Sequence, residues 1–163
     1  MSRCCSNSAT CPCPTAEPAA EGRSNNQRVP GSEEEQLIVE GFESWNTGDW
    51  ERWVTDNVDP DVLLVDPPDL PDADRYRGRD AYTRRFEDWT EPLGHFHVDI
   101  TEFVHAPEAT MAAIDVHGEA TASGIPMRYE VFNVFRFRDG RISEYRLFLA
   151  REQALAEAGI AVG

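Results

Sequence analysis

The stretch "IPMRYEVFNVFRFRDGRISEYRLFLA" (residues 125–150) decides the fold. Two runs rich in aromatic and β-branched residues flank Asp139-Gly140. The tight turn that joins antiparallel strands needs positive φ, which this dipeptide supplies, so the stretch predicts a long hairpin. On its first strand Tyr129, Val131, Asn133, Phe135 and Phe137 share one face, and Arg128, Glu130, Phe132, Val134 and Arg136 share the other. Neither face is wholly polar, as expected for a sheet covered partly on both sides. On the second strand Tyr145, Leu147 and Leu149 oppose Glu144, Arg146 and Phe148.

Upstream the alternation continues back to residue 95. "HFHVDITEFVH" (95–105) sets Phe96, Val98 and Ile100 on one face. "EATMAAIDVHGEATASG" (108–124) sets Met111, Ala113, Asp115 and His117 on one face, with Ile114 and Val116 opposite. The odd-numbered faces of the last three strands are expected to look into the core.

Before residue 95 the apolar period is that of a helix. "GSEEEQLIVEGFESWNTGDWERW" (31–53) opens with Ser32 and Glu35 at capping-box spacing, and Leu37, Ile38, Gly41, Phe42 and Trp45 form one face. Gly48 ends this helix, and Asp49 starts a short second one through Trp50 and Trp53. A strand, Val62–Val65, runs into Asp66-Pro67-Pro68 and a loop rich in Asp and Pro. "YRGRDAYTRRFEDWTEPLG" (76–94) then predicts a third helix with Tyr82, Phe86 and Trp89 on one side. "REQALAEAG" (151–159) predicts a short terminal helix. The order implies an α+β fold, with helices packed on a strongly bent antiparallel sheet.

The 163 residues suit one domain, read here as 32–163, after a Cys- and Pro-rich tail at 1–31. Formal net charge is −15; all 15 basic residues are arginine, and the tail carries +1, leaving −16 on the remainder. A surface this acidic repels phosphate backbones and anionic membranes, which argues against nucleic-acid and membrane partners. No apolar run approaches a membrane span and no apolar signal core is visible, so a cytoplasmic location is expected. Cys4, Cys5, Cys11 and Cys13 all lie in the tail with no CxxC pair, poor spacing for zinc. Residues 32–163 contain no cysteine to form a disulfide framework.

"FESWNTGDWERW", "VLLVDPP", "YRGRDAYTRRFEDW" and "FNVFRFRDGRISEYRLF" together resemble the SnoaL-like polyketide-cyclase family of the nuclear transport factor 2-like superfamily. The resemblance covers roughly residues 33–158. It implies a cone: a curved sheet wrapped around three N-terminal helices, with a short C-terminal helix and one apolar pocket. It also implies a homodimer through the outer sheet face, and chemistry that needs neither metal nor cofactor.

The candidate site residues follow. Asp66 occupies the position of the catalytic aspartate of the ketosteroid isomerase branch, where an apolar pocket would raise its pKa. Asn133 falls where that branch has a protonated oxyanion-hole aspartate, and an amide can donate the same hydrogen bond. The branch's oxyanion tyrosine falls near Gly41, so Tyr129 or Tyr145 would have to substitute. Asp115 and His117, on one strand face, form a second candidate base pair. Trp45, Trp53, Phe86 and Trp89, with Phe135, are expected to serve as core and pocket wall at once. His95, His97 and His105 read as outer-face or rim residues rather than metal ligands. The expected function is acid/base isomerisation, cyclisation or dehydration of a small hydrophobic carbonyl compound. The alternative is a non-catalytic binding or dimerisation module of the same fold.

Overall fold

The computed structural model describes residues 32–161. The tail at 1–31, its four cysteines included, lies outside the described residues. The elements are α1 (Glu33–Thr47), α2 (Trp50–Asn57), β1 (Val58–Val65), β2 (Arg75–Arg77), α3 (Arg79–Thr90), β3 (Leu93–His105), β4 (Thr110–Ala120), β5 (Pro126–Arg138), β6 (Arg141–Phe148) and α4 (Arg151–Glu157). The six strands form one sheet in the order β2-β1-β6-β5-β4-β3. All neighbours are antiparallel except β1 and β6, which run parallel. The sheet is therefore mixed, where the sequence predicts an antiparallel one. The parallel pair arises because the chain between β1 and β6 crosses the whole width of the sheet.

The hydroxyl of Ser32 accepts from the Glu35 backbone N–H at 3.1 Å, and three glutamates occupy the first turn of α1. Ser32→Ala should cost about 1 kcal/mol in chemical denaturation. Asp49 precedes α2 without making the expected side-chain cap. Asp139 and Gly140 both have positive φ, 54° and 75°, as the hairpin turn requires.

Gly41 lets two helices meet. A Cβ there would lie 2.7 Å from two ring carbons of Trp53, well inside contact distance. This close approach explains why α1 carries no large side chain at that position. Gly41→Ala should destabilise the protein by about 1–3 kcal/mol, read as a lowered denaturation midpoint.

Two cores lie on the two sides of the sheet. The larger joins α1, α2 and α3 to the concave face through residues such as Ile38, Phe42, Leu64, Tyr82, Ile114 and Tyr145. The smaller holds α4 against the convex face, with Ala154, Leu155 and Ala158 on Met111, Phe132, Val134 and Phe148. The terminal helix thus takes the side opposite the other three. It also accounts for the burial along β4, continuous from Thr110 to Ile114 under α4 and alternating beyond it.

The strand faces follow from register. Asn133 pairs with Leu147 across β5 and β6, so odd faces odd. Asn133 pairs with Ala112, and Val131 with Ile114, across β5 and β4, so odd faces even. The concave face of β4 is consequently Ala112, Ile114 and Val116, not the odd-numbered set expected from the sequence. Asp115 and His117 point to the convex side.

Candidate functional site

The concave face and helices enclose a cavity of about 280 Å³. Phe42 and Trp45 of α1, Phe86 and Trp89 of α3, and Val131 and Leu147 of the sheet form much of its wall. Trp45 stacks on Trp50 and on Phe86, with ring centroids 4.8 Å apart in each case. The i, i+4, i+7 spacing on α3 brings Tyr82, Phe86 and Trp89 onto one stripe, as read from the sequence. Pro67 and Leu70, from the loop after β1, complete the wall near the mouth.

Asn133 and Tyr145 are the polar pair of this apolar wall. Asn133 is 0 % exposed. The Tyr145 hydroxyl lies 2.5 Å from Asn133 Oδ1 and donates to it. This bond turns the amide so that Nδ2 faces away from Tyr145, and Nδ2 has no hydrogen-bond partner. Burial, then the neighbouring Tyr82, pushes the Tyr145 phenol well above its ordinary range, so it stays a neutral donor. Burial raises the Tyr129 phenol nearer the mouth as well. A buried N–H pair without an acceptor is costly. Asn133 borders the apolar cavity, which makes this amide the candidate donor to a ligand carbonyl oxygen.

Asp66 lies one residue outside the cavity wall. Its side chain is 0 % exposed, and both oxygens are taken by Arg85, Nε at 2.8 Å and a terminal nitrogen at 2.9 Å. The Asp74 backbone N–H adds a third bond at 3.3 Å, and the Asp66 N–H returns one to the Asp74 carbonyl at 3.0 Å. The carboxylate thereby closes the neck of the loop that carries Pro67 and Leu70. The Arg85 guanidinium sits 5.3 Å from the ring centres of both Tyr76 and Trp89. Burial works against the charge on Arg85, but the Asp66 carboxylate outweighs it and holds the group charged. Arg85 is the site-shaping residue that the sequence reading missed.

Asp115 and His117 are separated from the cavity by the sheet, which corrects their expected place in the site. Arg128 Nε donates to both Asp115 oxygens, at 3.1 and 3.0 Å, and this bond holds the carboxyl below its usual range. His117 Nε2 is 2.8 Å from Asp99, whose other oxygen is 3.0 Å from His97 Nε2. His105 bonds Glu35 and Thr110, tying the β3–β4 end to α1. His95, at positive φ, has no role in the cavity wall. Trp53 lies behind the wall on Gly41, and Phe135 lies beneath it against Phe42 and Tyr145. Of the expected set, Trp45, Phe86, Trp89, Tyr129, Asn133 and Tyr145 do line the cavity. Among the described residues no group of three or more His, Cys, Asp or Glu is arranged to hold a metal ion. Among them, too, no helix is long and apolar enough to cross a membrane.

A search of curated proteins gives no match. Solved structures of the same fold are numerous. A candidate SnoaL-like polyketide cyclase from Jannaschia sp. CCS1 superposes with a TM-score of 0.64 at 14% identity, covering 84% of this chain and 99% of its own. A nuclear transport factor 2-like protein of unknown function from Burkholderia pseudomallei gives 0.63 at 17% identity, covering 77% and 96%. TerC, co-crystallised with polyporic acid, gives 0.62 at 15% identity, covering 78% and 98%. At these identities the likeness is one of fold. The sequence family described as SnoaL-like domain matches residues 38–145, more than half of the chain. The chain therefore belongs to the SnoaL-like family.

Proposed function

We propose that the cone holds a small, neutral, apolar carbonyl compound, with the Asn133 amide donating to its oxygen. The observation that carries this reading is the unpartnered Nδ2 on a fully buried asparagine in an apolar cavity. A neutral donor suits a ketone, quinone or lactone oxygen. An acid would arrive as an anion at a strongly acidic protein and find no cation in the wall. No carboxylate or imidazole lines the cavity, so the geometry favours holding the ligand over transferring a proton. TerC's co-crystallisation with polyporic acid is consistent with a cone that admits organic molecules. Titration of the intrinsic tryptophan fluorescence from Trp45 and Trp89 tests the reading. 1-Tetralone should bind more tightly than tetralin, which has the same rings without the oxygen. Equal affinities would overturn it.

A catalytic reading rests on Asp66, because the next residue, Pro67, forms part of the wall. In it Asp66 removes a proton beside the carbonyl once Arg85 withdraws, and Asn133 stabilises the enolate. Proton–deuterium exchange at the tetralone α-carbon, lost in Asp66→Asn with binding intact, would support it. Absence of enzyme-dependent exchange in the native protein would leave binding as the function.

A homodimer through the outer sheet face belongs to the same proposal. The part of that face outside α4 presents His97, Asp99, Asp115, His117 and Arg128, so two chains would meet through charged groups. Such pairing should weaken with salt, and sedimentation at low and high ionic strength measures it.

A further inference from the structure

From the strand alternation outside the cavity we infer that the ligand is elongated: its carbonyl end sits at Asn133 and an apolar chain runs out of the cone along the inner face of β5. This rests on the binding reading above and specifies its ligand class.

The first five residues of β5, Pro126 to Glu130, stand clear of the helices and are exposed. β6 pairs with β5 only as far as Phe132–Phe148, so this wing is joined to the sheet through β4 alone. A wing wet on both faces has no packing reason to be apolar on either. Its outer face is polar, with Arg128 and Glu130. Its inner face carries Met127 and Tyr129, each 39 % exposed, and Ile125 just before the strand is 62 % exposed. With Leu149, at 46 %, these are the exposed large apolar residues of the described chain, and Tyr129 and Leu149 also line the cavity.

The four residues therefore do not scatter as surface apolar groups usually do. The pairing of β4 with β5 is unbroken from Pro126 to Phe135, so Met127, Tyr129, Val131 and Asn133 follow one another on the same face. The run from Asn133 to Met127 is about 20 Å at a strand's rise of about 3.4 Å per residue. Across from Met127 stands Gly118, whose missing side chain leaves room for Phe96, itself a cavity residue. Phe96 and Met127 thus continue the cavity's surface outward without a polar interruption. An occupant of this track must be apolar, narrow and continuous with whatever fills the cavity, which describes the tail of the bound molecule.

The test uses methyl ketones of increasing length, from 2-pentanone through 2-nonanone to 2-pentadecanone, titrated by tryptophan fluorescence. Affinity should keep rising beyond 2-nonanone, by roughly twofold per methylene, since a chain on an open face is covered on one side only. The double variant Ile125→Ser, Met127→Ser lies outside the cavity wall. It should leave 2-pentanone binding unchanged and flatten the rise for the longest ketones. A plateau at short chain length overturns the inference, as does an equal loss for every ketone. A change in sedimentation of the double variant without a change in chain-length dependence also overturns it, because a second copy then covers the track. If ketones bind in proportion to the carbonyl contact but not to length, only the inference fails. If no ketone binds at all, the binding reading fails with it.

Discussion

Replacing Arg85 with alanine is expected to destabilise the fold by about 3–5 kcal/mol, the loss typical when one partner of a buried ion pair is removed. The reason is what remains. Asp66 has a side chain with no exposure, and its two oxygens rely on two guanidinium bonds and one backbone N–H. Without Arg85 the carboxylate loses both guanidinium bonds and keeps the Asp74 N–H at 3.3 Å and the neighbouring Tyr76 hydroxyl. Urea denaturation reads the free energy, and a melting point lowered by roughly 10 °C should accompany it. The companion variant Arg85→Met with Asp66→Leu removes both charges and should recover most of the loss, since an apolar pair of similar volume is often as stable as a buried ion pair. Hydrogen exchange should report the same event locally. The loop of residues 67–73 is closed at its neck by Asp66 and Asp74, so its amides should exchange faster in Arg85→Ala than those of β4. A loss below about 1 kcal/mol would mean that the carboxylate does not depend on Arg85.

The same pair shows where sequence reading reaches its limit. Asp66 is visible as the end of an apolar strand before two prolines, and that pattern fits both a strand terminator and a base at a pocket mouth. The deciding partner is Arg85, nineteen residues on, in a helix where the adjacent Arg84 is the same residue type. Which of two neighbouring arginines turns inward depends on helix phase relative to a strand, and the period of a single element does not contain it. The elements themselves are legible because each has its own local cause: Ser32 with Glu35 for α1, the stripe Tyr82, Phe86, Trp89 for α3, and Asp139-Gly140 for the hairpin. Between β5 and β6 the tight turn sets Arg138 opposite Arg141, and a bulge between Arg136 and Phe137 then shifts the register by one so that odd faces odd. Between β4 and β5 no such tight turn exists, and the pairing of Asn133 with Ala112 sends Asp115 and His117 outward. A one-residue difference in register inverts a whole strand face, which is why that candidate pair is the one misplaced. Burial of both faces of β4 under α4 removes the polar alternation that would otherwise have marked the outside.

Asn133→Leu should weaken 1-tetralone binding by about 10- to 100-fold while leaving tetralin binding unchanged or slightly tighter. The ketone loses its donor, a buried contact worth about 1.5–3 kcal/mol when no water can replace it. The hydrocarbon makes no use of the amide, so it gains only apolar surface. Tyr145→Phe separates anchoring from orientation. The hydroxyl at 2.5 Å holds Oδ1 and so fixes which way the amide faces. Without it the amide is free to turn its oxygen toward the ligand, where it repels a carbonyl, and ketone affinity should fall by about three- to tenfold. In the Tyr145→Phe background, Asn133→Leu should then cost less than it does alone, because part of the donor's worth is already lost. A double-mutant cycle on the ketone measures that coupling, and tetralin provides the control. Tetralin separates this effect from loss of structure. Asn133→Leu removes the unpartnered Nδ2 but also the acceptor of the buried Tyr145 hydroxyl, so stability should fall by about 1–3 kcal/mol, and tetralin binding shows that the cavity itself survives. The informative combination is a variant that still folds and binds tetralin as the native protein does yet no longer distinguishes the ketone from the hydrocarbon. A variant that keeps the distinction would show that the oxygen is held elsewhere, and Asn133 would be a core amide with no ligand to serve.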